Sequence, residues 1–319
     1  MTGTSAPIPK DAPIYVAGHR GMVGSAIVRR LAAGGYTNIL ARSRQELDLL
    51  DAGAVAAFLA AQRPAYIFDA AAKVGGIHAN NAYRGEFLYQ NLAIQTNLIH
   101  GAMLAGVQRM LFLGSSCIYP RDCPQPIRED YLLTGPLEQT NEPYAIAKIA
   151  GIKLCDAYNS QYGTQYVSAM PTNLYGPFDN YDLQNSHVLP ALIRKVHEAK
   201  LAGEPTLTVW GTGSPLREFL HVDDMADACV FLMESGVESG LFNIGVGEDL
   251  SIRELAELVM RIVGFEGEIR FDTSKPDGTP RKLLSVERIN QLGWKARIGL
   301  ADGIAQTYRS FLAGEARGL

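Results

Sequence analysis

Short apolar runs alternate with helix-spaced stretches through the first half of the chain. Ile14–Ala17 is an unbroken apolar, β-prone run bounded by Pro13 and Gly18, and residues 25–33 follow with apolar positions at helical spacing. The alternation then repeats: a strand over 38–41, a helix over 54–61, a strand entered at 66–68, a helix over 88–104, a strand at Arg109–Leu113, a helix over 144–158 and a strand over 166–171. Unbroken apolar strands, rather than strands alternating with polar residues, are what a parallel sheet covered on both faces requires. The pattern predicts an α/β fold with a doubly wound parallel sheet. The rhythm breaks beyond residue 175. Residues 175–186 carry Gly, Pro, Asn and Asp in quick succession and read as irregular loop. Helices follow near 188–201, 223–235 and Ile252–Val263, with strands near Thr206–Trp210 and 242–244 and an extended stretch over 271–283. The expected division is 1–175 as the sheet domain, to which about 218–245 returns, and 176–319 as mainly a smaller C-terminal α/β domain that covers a substrate.

Composition narrows the function. In 319 residues, 47% are hydrophobic and 19% charged, which suits a folded globular chain. A net charge of −4 gives no long-range attraction for nucleic acid or an anionic membrane, so any positive charge for an anionic ligand has to be local. Four cysteines with no Cys-x-x-Cys pair make neither a disulfide framework nor a zinc site, and no metal is expected. Residues 1–13 are polar and Pro-rich and lack the apolar core of a secretory signal, and no apolar run approaches the ~18 residues of a membrane span. A cytoplasmic setting is the expectation.

The first strand runs into Gly18-His19-Arg20-Gly21-Met22-Val23-Gly24 and then a helix. Glycines let the chain turn sharply and let a diphosphate approach the backbone, while the helix start offers free N–H groups. The spacing reads as the phosphate-binding turn of a Rossmann-type domain; its position after the first strand distinguishes it from a chance cluster of glycines. Arg42 and Arg44 follow the second strand where a ribose-binding acid would otherwise stand, and Arg20 lies in the turn itself. Guanidinium groups there can fork onto a 2′-phosphate, so the expected cofactor is NADP, with NADPH as hydride donor.

Tyr144 and Lys148 lie four apart at the start of a helix, hence on one face. An ammonium there favours the phenolate and is expected to lower the Tyr144 pKa; the same lysine can hold a ribose hydroxyl. Ser115, at the end of the fourth strand, can hydrogen-bond a carbonyl under reduction. Cys117 follows two residues later. Hydride transfer has no use for a second base, whereas proton abstraction beside a ketone does, and a neighbouring positive charge would make the thiol usable. The plain alternative is a small buried residue. His187, just past the irregular loop, can return a proton on the opposite face.

At these positions the chain resembles the GDP-L-fucose synthases of the extended short-chain dehydrogenase/reductase superfamily. The resemblance rests on Gly-His-Arg-Gly-Met-Val-Gly at 18–24, Ala-Lys-Val-Gly-Gly-Ile at 72–77, Leu-Gly-Ser-Ser-Cys-Ile-Tyr-Pro at 113–120, Asn-Glu-Pro-Tyr-Ala-Ile-Ala-Lys at 141–148, Met-Pro-Thr-Asn-Leu-Tyr-Gly-Pro at 170–177 and Ser-Lys-Pro-Asp-Gly-Thr-Pro-Arg-Lys at 274–282. It implies 3,5-epimerisation and 4-reduction of GDP-4-keto-6-deoxy-D-mannose. It implies Ser115, Tyr144 and Lys148 as the reductase set, with Cys117 and His187 as epimerisation base and acid. Pro171, Thr172, Asn173 and Leu174 match cofactor contacts, as do Lys148, His187 and the 18–24 turn. Trp210, Arg217 and Asp277 match residues that hold the GDP-sugar. Lys195 stands where the family pattern has arginine, with Arg194 beside it, so the charge is kept and the fork is lost. The resemblance also implies a homodimer through helices near 92–106 and 145–160. The alternatives are a nucleotide-sugar 4-epimerase or 4,6-dehydratase, which would consume no cofactor, and a non-catalytic NADP sensor, against which the intact Ser115, Tyr144 and Lys148 argue.

Overall fold

The computed structural model describes residues 8–183, 185–275 and 277–315. The first seven residues of the polar N-terminal stretch lie outside the described residues. The first half runs β1 (Ile14–Ala17), α1 (Met22–Ala33), β2 (Ile39–Leu40), α2 (Ala52–Gln62), β3 (Tyr66–Asp69), α3 (Ile77–Ala82), α4 (Arg84–Leu104), β4 (Arg109–Leu113), α5 (Glu142–Tyr162) and β5 (Gln165–Pro171). After it come β6 (Asn173–Tyr175), α6 (Val188–Ala202), β7 (Thr206–Trp210), β8 (Leu216–Arg217), β9 (Phe219–His221), α7 (Val222–Glu234) and β10 (Gly240–Ile244). The chain ends with β11 (Leu250–Ser251), α8 (Ile252–Val263), β12 (Glu268–Asp272), β13 (Arg281–Lys282), α9 (Glu287–Gln291) and α10 (Leu300–Leu312).

The main sheet has the order β10-β5-β4-β3-β1-β2, and every pairing in it is parallel. Successive side chains on a strand face opposite ways, so each strand feeds two cores. Ile14 and Val16 of β1 pack with Ile27 and Leu31 of α1 and with Met225 and Val230 of α7. Tyr15 and Ala17 pack with Leu59 of α2, Leu98 and Ile99 of α4, and Ile152 of α5. Each fully buried aliphatic side chain is worth about 1.5–3 kcal/mol, which is why strands buried on both faces read as continuous apolar runs.

The chain's direction of travel across the sheet reverses at β1, with β2 on one side and β3 on the other. The carboxyl ends of β1 and β3 therefore flank a crevice of the kind in which doubly wound sheets bind ligands. β10 closes the sheet beside β5, with Phe242 in register with Ala169. The rest of the second half builds its own core from Val196 of α6, Leu207 and Val209 of β7, Leu255 and Val259 of α8, and Ile304 of α10. It carries the small sheet β11-β8-β13 and the pair β12-β7. α8 has the bounds expected from the sequence because its ends are locally specified. Ser251 and Glu254 form a capping box, and Gly264 closes the helix in the left-handed conformation. α5 starts at Glu142, two residues earlier than expected, with Pro143 in its first turn, where a missing N–H costs nothing.

Candidate active site

The glycine turn sits at the mouth of the crevice. Gly18 has φ +76° and receives the Gly21 amide on its carbonyl at 2.9 Å. A Cβ on Gly18 would lie 2.7 Å from the Ala70 carbonyl oxygen, and one on Gly24 would lie 2.2 Å from the Gly18 oxygen. The turn is thus folded against the exit of β3 and against itself, and neither position has room for a side chain. Gly21 begins α1 with no side-chain cap, leaving the first N–H groups of the helix open. His19 Nδ1 is buried without a hydrogen-bond partner. Open amides at a helix start fit the diphosphate of a dinucleotide.

Of the arginines expected beside the ribose, Arg42 of the segment after β2 and Arg20 of the turn both act on Glu46. Arg42 donates to its neighbour's carbonyl at 2.8 Å and lies 5.5 Å from the Phe58 ring centre. Arg44 is exposed, 3.8 Å from Asp48. Glu46 accepts both the side chain and the amide of Ser43 at 2.7 Å, and these bonds, with Arg42 and Arg20 behind them, hold its carboxyl below the usual range.

β4 ends in Leu113, and the chain reverses through Ser115 into a single 3-10 turn over 116–118. Ser115 Oγ accepts the Cys117 amide at 3.4 Å, so the turn brings Cys117 back beside the serine, where it is 8% exposed. From α5, the Lys148 ammonium donates to the Leu113 carbonyl at 2.8 Å and lies 5.9 Å from the Tyr144 ring centre. The structure corrects the expected pKa of Tyr144. Burial pushes the phenol up, and Cys117 adds to the rise. Removing a phenolate from water outweighs the pull of an ammonium already committed to a carbonyl. Cys117 is likewise pushed up by burial, against opposing pulls from Lys282, the Ser115 hydroxyl and Lys148. The positive charge that would make the thiol usable is present, but burial wins over it.

Lys282 is the site residue the sequence reading missed. It closes the 274–282 motif, yet nothing in that motif says what it meets. The pairing of β13 with β8 puts it in register with Arg217. Burial lowers its pKa, Cys117 pulls it up, and Arg217 pushes it down. The same ammonium acts on His187, whose pKa is lowered by burial first and by Lys282 second. His187 opens α6 and is solvent-accessible although surrounded by protein. One cation therefore links the thiol, the imidazole and Arg217.

The remaining residues cluster farther along the second half. Lys195, about two turns into α6 from His187, holds its ammonium 4.6 Å from the Trp210 ring centre, and Lys275 lies 5.5 Å from that ring. Trp210 is 55% exposed. Asp277 accepts the Thr212 amide at 2.7 Å and its hydroxyl at 2.9 Å, which fixes the turn after Trp210. Burial lowers the Arg217 pKa and Asp277 counters it. The Pro171–Leu174 segment is pinned where the two halves meet: the Thr172 amide reaches the Ile244 carbonyl at 3.0 Å, and Asn173 reaches the Glu218 carbonyl at 2.8 Å. Among the described residues no helix is long and apolar enough to cross a membrane, and no His, Cys, Asp or Glu group could hold a metal.

Residues 14–245, the sheet and most of what frames its crevice, match the model of the NAD dependent epimerase/dehydratase family, and the chain belongs to that family. Within it, GDP-L-fucose synthase 1 of Arabidopsis thaliana is 59% identical over 305 residues, which is 95% of this chain and 94% of the relative. Among solved structures, a GDP-L-fucose synthetase from Naegleria fowleri bound to NADP has a TM-score of 0.89 at 29% identity, covering 98% of this chain and 96% of the other. A GDP-6-OMe-4-keto-L-xylo-heptose reductase from C. jejuni has a TM-score of 0.91 at 38% identity, covering 97% and 100%.

Proposed function

We propose that this chain epimerises C3 and C5 of GDP-4-keto-6-deoxy-D-mannose and then reduces C4 with NADPH, giving GDP-L-fucose. The observation that carries the reading is the thiol of Cys117 beside Ser115 and Tyr144, within the field of Lys282. A plain reductase has no use for it. The likeness to a GDP-L-fucose synthase over nearly the whole chain supports the same reading.

The protons on C3 and C5 are acidic because each adjoins the C4 ketone. Cys117, as the thiolate, removes each in turn and passes the first proton to water before taking the second. Ser115 and Tyr144 donate hydrogen bonds to the ketone oxygen and stabilise the enolate as its charge grows. His187 protonates the opposite face, which inverts the centre, and the open cleft lets it recover its proton from water. Its imidazole, held low by burial and Lys282, takes up its proton more readily once the diphosphate of the substrate brings negative charge nearby, so more of it is in the form that can donate. Arg217, Lys282 and Lys195 neutralise that diphosphate, and Trp210 offers a flat face beside it. Bound NADPH supplies the hydride to C4. Tyr144 then gives its proton to the C4 oxygen, and Lys148 steadies the phenol and a ribose hydroxyl.

Residues 1–175, with about 218–245 returning to the sheet, are assigned to the cofactor, and 176–319 mainly to the substrate. A homodimer through α4 and α5 is supported by exposed Tyr89, Leu104, Ile146 and Tyr162 on these two packed helices. A cytoplasmic setting is supported by four free thiols.

The test is to incubate the protein with the 4-keto sugar nucleotide and NADPH and to identify the product by NMR. One NADPH oxidised per GDP-L-fucose is the expected result. Turnover without NADPH consumption would favour a 4-epimerase or 4,6-dehydratase instead. The cofactor choice has its own test. Replacing Arg20, Arg42 and Arg44 together by alanine is expected to cut the NADP-over-NAD ratio of kcat/KM by at least about 100-fold, which the loss of two charge-assisted bonds to a phosphate at about 1.5 kcal/mol each already supplies. An unchanged ratio removes the assignment.

A further inference from the structure

Behind Lys148 lies a carboxylate that the proposed reaction does not use. Asp69 ends β3, in register with Ala17 of β1 and Phe112 of β4, and is 0% exposed. Its Oδ1 accepts the Ala71 amide at 3.2 Å, while its Oδ2 is buried with no hydrogen-bond partner. A buried carboxylate satisfied on one oxygen alone is costly unless a cation answers it. The nearby cation comes from α5. Lys148, 2% exposed, has its ammonium bound to the carbonyl of Leu113 and 4.7 Å from the ring centre of Phe112. Phe112 is the register partner of Asp69, so carboxylate and ammonium lie near the ends of adjacent strands, where each acts on the other through its charge with no hydrogen bond between them.

We propose that Asp69 is a positioning residue for the reductase site, its buried carboxylate holding the Lys148 side chain charged and in place behind Tyr144. The inference rests on the reading of Lys148 as part of that site. Burial lowers the Lys148 pKa, and Asp69 is the largest influence opposing it. Burial raises Asp69 to about 6, with Lys148 pulling it back, so the carboxyl is ionised at neutral pH. The other titratable groups facing Asp69 are Tyr15 from β1 and Cys155 from α5; burial pushes both up, and both are neutral there. Lys148 also feels the thiols of Cys117 and Cys155, which carry no charge until they ionise. The Asp69 carboxylate is therefore the one formal negative charge acting on Lys148 at neutral pH among these groups.

The sign follows directly. Removing the Asp69 charge weakens proton binding at Lys148, so the lysine loses its charge at lower pH. In Asp69→Asn, close in size to the native residue, the Lys148 titration midpoint is expected to fall by at least about one pH unit, tenfold in proton affinity. It is read by NMR on protein labelled at the lysine ε-carbon, with no substrate present. The alkaline limb of the kcat profile for NADPH oxidation is expected to move the same way. Asp69→Leu, which removes charge and polarity together, gives the same direction if the asparagine variant folds poorly. A folded variant with a lowered Tm but an unchanged Lys148 midpoint would overturn the proposal and leave Asp69 a packing residue. The NMR titration decides this even if the sugar nucleotide proves to be the wrong substrate.

Discussion

Cys117→Ser is expected to slow exchange of the C3 and C5 protons with solvent by about 10²–10⁴-fold, the usual contribution of a placed general base. The measurement is deuterium incorporation into the 4-keto sugar nucleotide in D2O, without NADPH. Serine is nearly the same size, so binding of the sugar nucleotide is expected to persist while exchange is lost. The thiol's role is electrostatic as much as steric. In the free enzyme the thiol is pushed above its ordinary pKa by burial, and Lys282, Ser115 and Lys148 pull against that rise. Wild-type exchange should therefore climb as the pH is raised above neutral, because the thiolate fraction grows. The serine variant should show low exchange with no such climb, since its hydroxyl does not ionise in this range. Exchange at the wild-type rate in Cys117→Ser would sink the epimerase reading, whatever became of reduction.

How much of this was legible in the sequence depends on how local the determinant is. The glycine turn could be read because each glycine answers a need within a few residues: φ +76° at Gly18, and no room for a Cβ at Gly24 beside the Gly18 carbonyl. The helix Ile252–Val263 could be read because its cap and its terminating glycine are both adjacent to it. Lys282 could not. Its meaning depends on the register that sets it beside Arg217, across a long separation in the chain. Asp69 was hidden in another way, since it stands at the end of the strand entered at 66–68, where nothing local marks it, and only the folded sheet brings Lys148 over its neighbour Phe112. The pKa of Tyr144 runs opposite to the expected direction, and that of Cys117, which the sequence leaves open, is raised, because spacing reveals a nearby charge but says nothing of how deeply a group is buried. Burial is the larger effect at both.

Tyr144→Phe should divide the activity the other way. NADPH oxidation is expected to fall about 10²–10⁴-fold, while C3 and C5 exchange stays within about tenfold of wild type. The ring keeps its place, with an edge contact to Phe87 at 6.4 Å between centres, so the change removes only the hydroxyl. In the proposed reaction that hydroxyl has two duties of unequal weight. In epimerisation it shares the enolate with Ser115, and the serine remains. In reduction the C4 oxygen becomes an alkoxide as hydride arrives, and Tyr144 is the group placed to give it a proton. The raised phenol pKa, which contradicts the simple expectation from Lys148, suits that duty. A donor must hold its proton at working pH, and burial keeps the phenol protonated well above neutral. If Tyr144→Phe oxidised NADPH at an undiminished rate, the proton would have to come from elsewhere, and His187 or water in the open cleft would be the next donor to test. If exchange collapsed together with reduction, the phenol would be the main support of the enolate, and Ser115 would be demoted to capping the turn that carries Cys117.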